Sequence, residues 1–219
     1  PLKVADGHWV RSIPGVSSDA EIVVRDRPGG PIVGRFAGSV LCTHFGLSGP
    51  AILDASRHLL HTDGGTLSVR WIPSVPEERM EAWLLEGARE TLLSRLRRHL
   101  PERLARTLLL VAGIDPATSA HQIPRAMRAK LAGELGAAPI PIVGDRGDTF
   151  AEATAGGVPL REVHLETLES RFTPGLHFCG ELLDVDGRIG GFNFQWAWAS
   201  GFVAGCAAIK LLRDLCPIE

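Results

Sequence analysis

Glycine and carboxylate residues are concentrated in one short segment near the end of the chain, which has the strongest potential for chemistry. This segment contains Gly180, Glu181, Asp184, Asp186, Gly190, Gly191 and Asn193. The sequence predicts a strand that ends at Gly180 and a helix that begins near Asn193. Ligands of open α/β sheets bind at the carboxyl ends of strands, and the free N–H groups at a helix start favour negative charge. The arrangement therefore predicts a nucleotide pocket.

A flavin suits such a pocket, because glycines let the backbone approach a ring closely and the helix start stabilises an electron-rich ring edge. Glu181 would accept hydrogen bonds from ribityl hydroxyls. An ordinary turn explains the same spacing, since Asp-x-Asp-Gly is common in turns. Calcium is disfavoured, because residues 184–187 lack the third acidic position and the closing Glu of an EF-hand loop. Zinc is disfavoured, because His58 and His61 have no further ligand cluster.

Ser48 raises the alternative of a hydrolase, because it stands in the sequence GLSGP. A nucleophile elbow requires G-x-S-x-G, and Pro50 occupies the position of the second glycine. His44 could act as a base, but a lone histidine beside Phe45 is more often a packed residue with a satisfied partner. The hydrolase stays a minor alternative, and the catalytic residues are not assigned.

The first third of the chain, residues 1–75, is predicted to form short strands and turns. The β-branched runs 20–25 and 31–36 flank the turn sequence RPGG, which predicts a hairpin. Alternation of apolar and polar residues over 67–72 predicts a half-buried strand. Pro50 is suited to the first position of a helix.

The next part, residues 76–135, is predicted to be helical. Apolar residues recur at steps of three and four between Met80 and Leu96, which predicts one amphipathic helix ended by Pro101. Two more helices are predicted at 104–111 and 124–135, each followed by a glycine. This region would form a small helical cap.

After residue 136 the composition changes. Residues 139–143 are predicted to be extended, and residues 153–158 are small and rich in glycine. Residues 175–180 are predicted to form a buried strand. A domain boundary is placed near residues 145–148.

The last long element, from about Asn193 to Leu215, is apolar on almost every face. Its length is compatible with a membrane span. The polar residues Asn193 and Gln195 in its first turn favour a buried helix packed against a sheet or a ligand instead.

Composition indicates a globular protein without an electrostatic partner. The chain has 23 Lys and Arg against 25 Asp and Glu, a net charge of −2, so neither nucleic acid nor a membrane surface is expected. The four cysteines lack C-x-x-C spacing and lie in apolar segments, where a thiol acts as a small hydrophobe. A reducing, cytoplasmic location is expected. The N-terminus lacks the pattern of a secretory signal, although the chain begins at Pro1.

Two stretches carry a resemblance to a known family. They are LCTHFGLSGPAIL at residues 41–53 and GLHFCGELLDVDGRIGGFNFQWA at residues 175–197. Both are similar to signature stretches of the HI0933-like bacterial NAD(P)/FAD-dependent oxidoreductases. Residues 154–158 and 167–171 follow the same family's order, so the similarity covers essentially the whole chain.

The resemblance implies a flavoenzyme with an FAD-binding fold of the glutathione-reductase type, interrupted by an inserted domain of β-structure and helices. The fold class is accordingly mixed, α+β and α/β. The insert would be residues 1–148, and residues 149–219 would be the C-terminal part of the FAD domain. The implied cofactor-binding residues are Gly180, Glu181, Asp186, Gly190, Gly191, Asn193 and Phe194. No metal is implied.

The sequence departs from the family pattern in two ways. Phe192 stands where the family usually has Tyr, and the chain contains no Tyr at all, so a hydroxyl contact is lost while ring packing is kept. The G-x-G-x-x-G turn that holds the FAD pyrophosphate does not occur in these residues. The chain is therefore expected to be a fragment or a truncated product that lacks an N-terminal FAD-binding half, which would leave an exposed sheet edge and weak FAD binding.

Two functions follow as hypotheses. The first is part of an oxidoreductase that transfers hydride between NAD(P)H or a small organic substrate and FAD, with Thr43 and His44 as candidates only because they stand in a signature stretch. The fragment alone would be inactive. The second is a catalytically inert binding or interaction module that has lost its cofactor.

Overall fold

A computed structural model describes residues 1–86 and 90–215 of the chain. The chain divides into two compact units, Pro1–Gly147 and Asp148–Glu219. Strands and helices occur together, so the prediction of a fold with mixed α and β content is confirmed. The assignment of residues 1–148 as an inserted domain and of 149–219 as part of an FAD domain stays a prediction.

The sheet of the first unit contains seven strands, which pair antiparallel in the order β6-β5-β2-β3-β4-β1-β7. These strands are β1 (Leu2–Val4), β2 (Ser17–Arg25), β3 (Ile32–Cys42), β4 (Gly46–Ser48), β5 (Thr66–Arg70), β6 (Ala138–Ile140) and β7 (Ile142–Asp145). The predicted extended run 139–143 is thus the end of β6 and the start of β7. Because β1 pairs with both β4 and β7, the first and last strands of this unit lie side by side.

Strands β2 and β3 form the predicted hairpin, with longer arms than the sequence indicated. Its turn is closed by the Gly30 N–H, which donates to the Arg27 carbonyl at 3.0 Å. Gly29 has a φ of +70°, a left-handed conformation that glycine adopts without strain. Ile22 and Val24 are fully buried on the core side of the hairpin, as the period of two along a strand requires.

Five helices accompany this sheet among the described residues. They are α1 (Pro50–Leu60), α2 (Met80–Leu85), α3 (Leu92–Leu96), α4 (Glu102–Val111) and α5 (Arg125–Ala137). The predicted start at Pro50 and the predicted helices at 104–111 and 124–135 are confirmed, although α5 continues through Gly136 to Ala137.

The prediction of one helix over Met80–Leu96 that ends at Pro101 is wrong. Helix α2 stops before Glu86, whose backbone is extended at φ −61° and ψ 137°. Helix α3 starts separately at Thr91, whose hydroxyl accepts the Ser94 N–H at 3.2 Å. A threonine in this position satisfies an orphan donor and favours a new helix start. Apolar spacing continued across the break because both short helices face the same core.

The core of the first unit lies between the sheet and these helices. Buried side chains come from the sheet, from α1 and from the helices of the 76–135 region. Trp71, Ile52, Leu84, Leu104 and Leu108 are each 1% exposed or less. The amphipathic pattern therefore predicted the buried face correctly even where it predicted the wrong helix boundaries.

The second unit has little regular structure before its last helix. Strand β8 (Val163–His164) pairs with β9 (Glu169–Ser170), and α6 (Phe192–Leu215) follows. The predicted buried strand at 175–180 is wrong, because this stretch has a single bridge, from His177 to Glu169, in the described part of the chain. Leu176 is 43% exposed. A buried strand needs hydrogen-bond partners along both edges. Here the Leu176 carbonyl accepts the Ser170 N–H at 2.7 Å and the Phe178 N–H donates to the Leu168 carbonyl at 2.9 Å, so the pairing is confined to the single bridge.

Helix α6 has the predicted position, but the prediction that it is buried is wrong. Only Ser200 and Ala204 on this helix are buried among the side chains described. Phe194, Trp198 and Phe202 are 69%, 69% and 73% exposed. Among the described residues no helix has both the length and the apolar character that a bilayer crossing needs.

The cysteines differ from one another more than the sequence suggested. Cys42 is buried, and burial raises the pKa of its thiol to about 12. Cys179 and Cys206 are exposed, so the expectation that each thiol packs as a small hydrophobe is wrong for these two. Cys216 lies outside the described residues.

Candidate functional site

Gly180 is fixed to helix α6 by both of its backbone groups. Its N–H donates to the Ser200 hydroxyl at 2.9 Å, and its carbonyl accepts the indole N–H of Trp196 at 3.2 Å. Gly180 has a φ of +67° and begins a single helical turn, Gly180–Leu182, so the prediction that a strand ends here is wrong. These hydrogen bonds hold the start of the acidic segment against the second and third turns of α6.

The glycine-rich stretch 153–158 supports the same segment from another direction. Val158 donates its N–H to the Leu182 carbonyl at 2.8 Å, and its carbonyl accepts the Asp184 N–H at 2.9 Å. A Cβ on Gly157 would lie 2.7 Å from the Leu182 carbonyl oxygen, and Gly157 has a φ of +138°. Only glycine therefore allows these two backbones to approach so closely.

The loop between Asp184 and the helix is closed by Asn193. The side-chain Oδ1 of Asn193 accepts the Gly187 N–H at 2.7 Å, and its side-chain Nδ2 donates to the Gly187 carbonyl at 3.2 Å. The Arg188 guanidinium lies 4.6 Å from the centre of the Phe192 ring. The Asn193 side chain thus positions the loop, so its contribution to a ligand site would be through loop shape.

The glycine pair Gly190 and Gly191 leads directly into α6. Both have left-handed φ values, +127° and +88°, and a Cβ on Gly191 would meet nothing within 4 Å. The first intrahelical bond runs from the Gln195 N–H to the Gly191 carbonyl at 3.0 Å. The N–H groups of the first turn lack intrahelical acceptors and carry partial positive charge, as in any helix start.

The remaining predicted residues lie on the surface of the same unit. Glu181 is exposed, and Asp186 is half-buried. Phe194 stacks on Trp198 with ring centres 6.3 Å apart and planes inclined by 28°. The structure thus gathers the seven predicted residues around the start of α6, while their role in binding a cofactor stays a prediction.

Ser200 and Trp196 are the residues that sequence reasoning missed. Ser200 is 2% exposed, and its hydroxyl also donates to the Trp196 carbonyl at 2.6 Å. A lone serine within an otherwise apolar helix, one turn after a tryptophan, was the available signal. The contact itself joins residues 16 and 20 positions apart and has no local sequence pattern.

The other signature stretch, residues 41–53, lies in the first unit. The Thr43 hydroxyl donates to the Gly46 carbonyl at 3.0 Å and closes the turn before β4. Gly49 has a φ of +95°, and a Cβ there would lie 2.6 Å from the Ser39 carbonyl oxygen. The motif therefore lets the start of α1 approach β3, which is a structural role.

Neither Ser48 nor His44 is arranged for hydrolysis. Ser48 ends strand β4 one residue before the Gly49 cap of α1, but Pro50 stands where a nucleophile elbow requires its second glycine. His44 is exposed, with its ring in edge contact with Phe45 at 5.3 Å between centres. The backbone carbonyl of His44 accepts the Nε–H of Arg11 at 2.9 Å. The long-range hydrogen bond of this residue is therefore made by its backbone and not by its imidazole ring.

Within residues 1–86 and 90–215 no group of three His, Cys, Asp or Glu side chains is placed to hold a metal ion. His58, one of the two histidines considered for zinc, lies against Phe36 with ring centres 5.0 Å apart. Aromatic packing accounts for its position.

Comparison with known proteins gives one family and several relatives. The profile described as "HI0933-like protein Rossmann domain" matches residues 16–207. The chain is 37% identical over 171 residues to the ribosomal RNA dihydrouridine synthase of Escherichia coli (strain K12), covering 76% of this chain and 41% of that protein. It is 34% identical over 207 residues to the 3-dehydro-bile acid delta(4,6)-reductase of Clostridium scindens, and this match covers 90% of this chain and 49% of that protein.

A further relative is the ribosomal RNA dihydrouridine synthase of Haemophilus influenzae, 34% identical over 167 residues, with 76% of this chain and 41% of that protein covered. The chain thus spans less than half the length of these curated relatives.

Proposed function

The chain belongs to the HI0933-like family, and from that premise we propose that it forms the flavin-ring side of an FAD-dependent oxidoreductase. The proposed reaction is hydride transfer between flavin and a small organic substrate, with NAD(P)H as the reductant. The names of the relatives support this proposal, because one describes a reductase and the others describe synthesis of dihydrouridine, which carries two more hydrogens than uridine.

The attachment of Gly180 to helix α6 is the observation that carries the proposal. Two hydrogen bonds, with Ser200 and Trp196, hold a left-handed glycine beside the start of a long helix. The Gly190 and Gly191 pair leaves backbone without side chains at that start. Exposed backbone donors and a positive helix end match the acceptor atoms and electron-rich edge of a flavin ring.

Bound flavin would supply hydride chemistry at its ring. The residues of this chain would bind and orient it. The first-turn N–H groups of α6 would donate to the ring edge, and the exposed Glu181 would accept from ribityl hydroxyls. Asn193 would fix the shape of the loop at Gly187 through its two side-chain hydrogen bonds. The catalytic acid or base is left unassigned.

Binding of the ADP portion is proposed to need a second half with a G-x-G-x-x-G turn. The exposed aromatic residues Phe194, Trp198 and Phe202 on α6 support this proposal, because such a stripe is expected to be covered in a stable protein. The expectation of no nucleic-acid partner rests on net charge alone. Two of the relatives named above act on ribosomal RNA according to their names, so the substrate of this chain is left at the level of a reducible organic group.

The test is flavin retention after gel filtration. FAD is added to the 219-residue chain and to a chimera in which the chain follows the N-terminal half of the Escherichia coli relative. The chimera is expected to elute with flavin absorbance, and the chain alone with much less. Ser200→Ala is expected to weaken retention about tenfold, because the Gly180 N–H loses its acceptor.

Ser56→Ala is the matched control, because the Ser56 hydroxyl makes a comparable bond within helix α1, to the Leu53 carbonyl at 2.7 Å. It should leave flavin retention unchanged. A correctly folded chimera that retains no flavin would overturn the proposal and favour the alternative of an inert interaction module, for which the exposed stripe on α6 would be the contact surface.

A further inference from the structure

A separate cleft lies in the first unit, on the face of the sheet away from helix α1. Its volume is about 760 Å³, within the usual range for small-molecule sites. The side chains that give it chemical character are Arg25, Arg35, Arg70, Thr66, Ser68 and Ser74. Neither signature stretch contributes to this cleft, and the proposed flavin site does not use it.

Strand register places these polar groups in rows. Arg70 lies opposite Glu21, Ser68 lies opposite Val23, and Thr66 lies opposite Arg25, on paired strands β5 and β2. Directly opposite residues have Cβ atoms roughly 5 Å apart. The rows therefore bring guanidinium and hydroxyl donors onto one surface at regular spacing.

Strand β3 adds a third residue to the row of Ser68 and Val23, because Val23 also lies opposite Arg35. Val23 is only 3% exposed although it faces the cleft, so the longer polar side chains around it form the accessible surface. Arg25, Arg35, Thr66, Ser68 and Arg70 thus bring donors from three neighbouring strands to one cleft, whose apolar lining also includes Leu67 and four prolines.

The donors of this cleft are only partly used. Arg35 and Arg70 share one carboxylate, that of Glu21, with Arg35 at 3.0 Å. The buried Nε of Arg70 has no hydrogen-bond partner. Within residues 1–86 and 90–215 Arg25 makes no ion pair, and its guanidinium donates a hydrogen bond to the Gly30 carbonyl at 2.8 Å.

The hydroxyls of Thr66, Ser68 and Ser74 make no hydrogen bond to the described part of the chain. Glu77 and Glu78 also line the cleft, and no ion pair joins either of them to Arg25, Arg35 or Arg70 in the described part of the chain. A ligand with a compact, multiply charged acceptor group would use the spare guanidinium and hydroxyl donors together.

We propose that this cleft binds a phosphorylated ligand of nucleotide size, with its phosphate on Arg25, Arg35 and Arg70. The guanidinium fork matches phosphate oxygens in pairs, and the hydroxyls of Thr66 and Ser68 supply further donors. Because every lining residue belongs to the first unit, binding does not depend on the flavin site.

The test is isothermal titration of the purified chain with AMP, adenosine and inorganic phosphate, at low and at raised ionic strength. AMP should bind, adenosine should bind at least tenfold more weakly, and added salt should weaken AMP binding. Arg35→Gln and Arg25→Gln should each weaken AMP binding about tenfold through loss of a charged donor. Glu78→Gln should strengthen it, because a nearby negative charge is removed.

Arg27→Gln is the matched control: Arg27 lies in the turn of the same hairpin, pairs with Asp26 at 3.0 Å, and does not line the cleft. It should leave AMP binding unchanged. Equal binding of AMP and adenosine, equal loss in Arg27→Gln, or no AMP binding by a chain with a native circular dichroism spectrum would each overturn the proposal.

Discussion

The two units of this protein use similar apolar content in opposite ways. In the first unit the apolar side chains of sheet and helices close over one another, and Trp71, Leu104 and Leu108 are buried almost completely. In the second unit the buried cluster consists of Val163, Leu168, Leu183 and Ala204, with a few half-buried side chains around it. The aromatic residues of α6 are mostly exposed instead.

This difference indicates which interactions stabilise each unit. The first has a core of the kind that stabilises an independent domain. The second is organised mainly by backbone contacts, such as those of Val158 with Leu182 and of Gly180 with Ser200. Local hydrogen bonds of this kind contribute about 0.5–1.5 kcal/mol each, much less than a closed apolar core. The proposed cofactor and second half would supply the missing burial.

The largest effect is expected from a cavity in the first unit. Leu108→Ala removes a fully buried side chain from helix α4, so the free energy of unfolding should fall by about 2–5 kcal/mol. Urea denaturation followed by circular dichroism measures the change. Leu110→Ala is the control on the same helix, because Leu110 is 61% exposed, and it should cost less than about 0.5 kcal/mol. Similar losses for both variants would contradict a closed core in this unit.

A backbone clash should have a smaller effect in the second unit. Gly157→Ala places a Cβ 2.7 Å from the Leu182 carbonyl oxygen at a φ of +138°, and it should cost about 1–3 kcal/mol in total. Hydrogen exchange at the Val158 and Asp184 amides should become faster, because these two amides form the contact. Gly156→Ala is the control: its φ is +96°, but a Cβ there meets nothing within 4 Å. Unchanged amide exchange at Val158 and Asp184 in Gly157→Ala would show that these two segments are not hydrogen-bonded to each other.

Alkaline pH should lower the unfolding free energy of the first unit, because the buried Cys42 thiol resists ionisation in the folded state. Burial raises the pKa of this thiol from 9.0 to about 12, so the folded state favours the neutral form. The stabilisation is complete below pH 9 and is lost as pH rises towards 12, with a loss of about 1 kcal/mol by pH 10. Comparing the unfolding free energies of the native chain and Cys42→Ala from pH 8 to 11 isolates this effect. If the unfolding free energies of the two proteins fall in parallel with pH, ionisation of the Cys42 thiol does not destabilise the fold.

The smallest change in stability is expected on α6. Phe202→Ser replaces a side chain that is 73% exposed, so the unfolding free energy should change by less than about 0.5 kcal/mol. Binding of a hydrophobic dye and self-association should both decrease, since an exposed aromatic group is removed. Arg213→Ser is the control on the polar end of the same helix and should leave dye binding unchanged. A large loss of stability in Phe202→Ser would mean that this side chain is covered.

Local patterns in the sequence predicted local structure well. The hairpin of β2 and β3 follows from two β-branched runs and a glycine turn, and α1 follows from Pro50 at a helix start. The separation of α2 from α3 was missed, because apolar spacing continues across the break and the Thr91 cap is a weak signal. Residues 175–180 were predicted to be a strand from their apolar character alone, and their pairing is limited to one bridge, from His177 to Glu169 of β9.

The part of the candidate site that rests on local sequence patterns could be predicted, and the part that rests on long-range contacts could not. Glycines and acidic residues before a helix are visible in the sequence, and Gly190 and Gly191 lie where the pattern indicated. The bonds that hold Gly180 to Ser200 and Trp196 join distant positions, so no local pattern could reveal them. The cleft of Arg25, Arg35 and Arg70 depends on the pairing of three strands and was likewise absent from the sequence argument.

The sequence by itself determined the hairpin, the first helix, the extent of α6 and the buried face of the helical region. Each depends on side-chain periodicity or turn chemistry within a few residues. Only the tertiary structure decided that Phe202 is exposed while Trp71 is buried, and which distant groups meet at Gly180. Burial and long-range hydrogen bonds depend on which elements pack together, and that is a property of the folded chain as a whole.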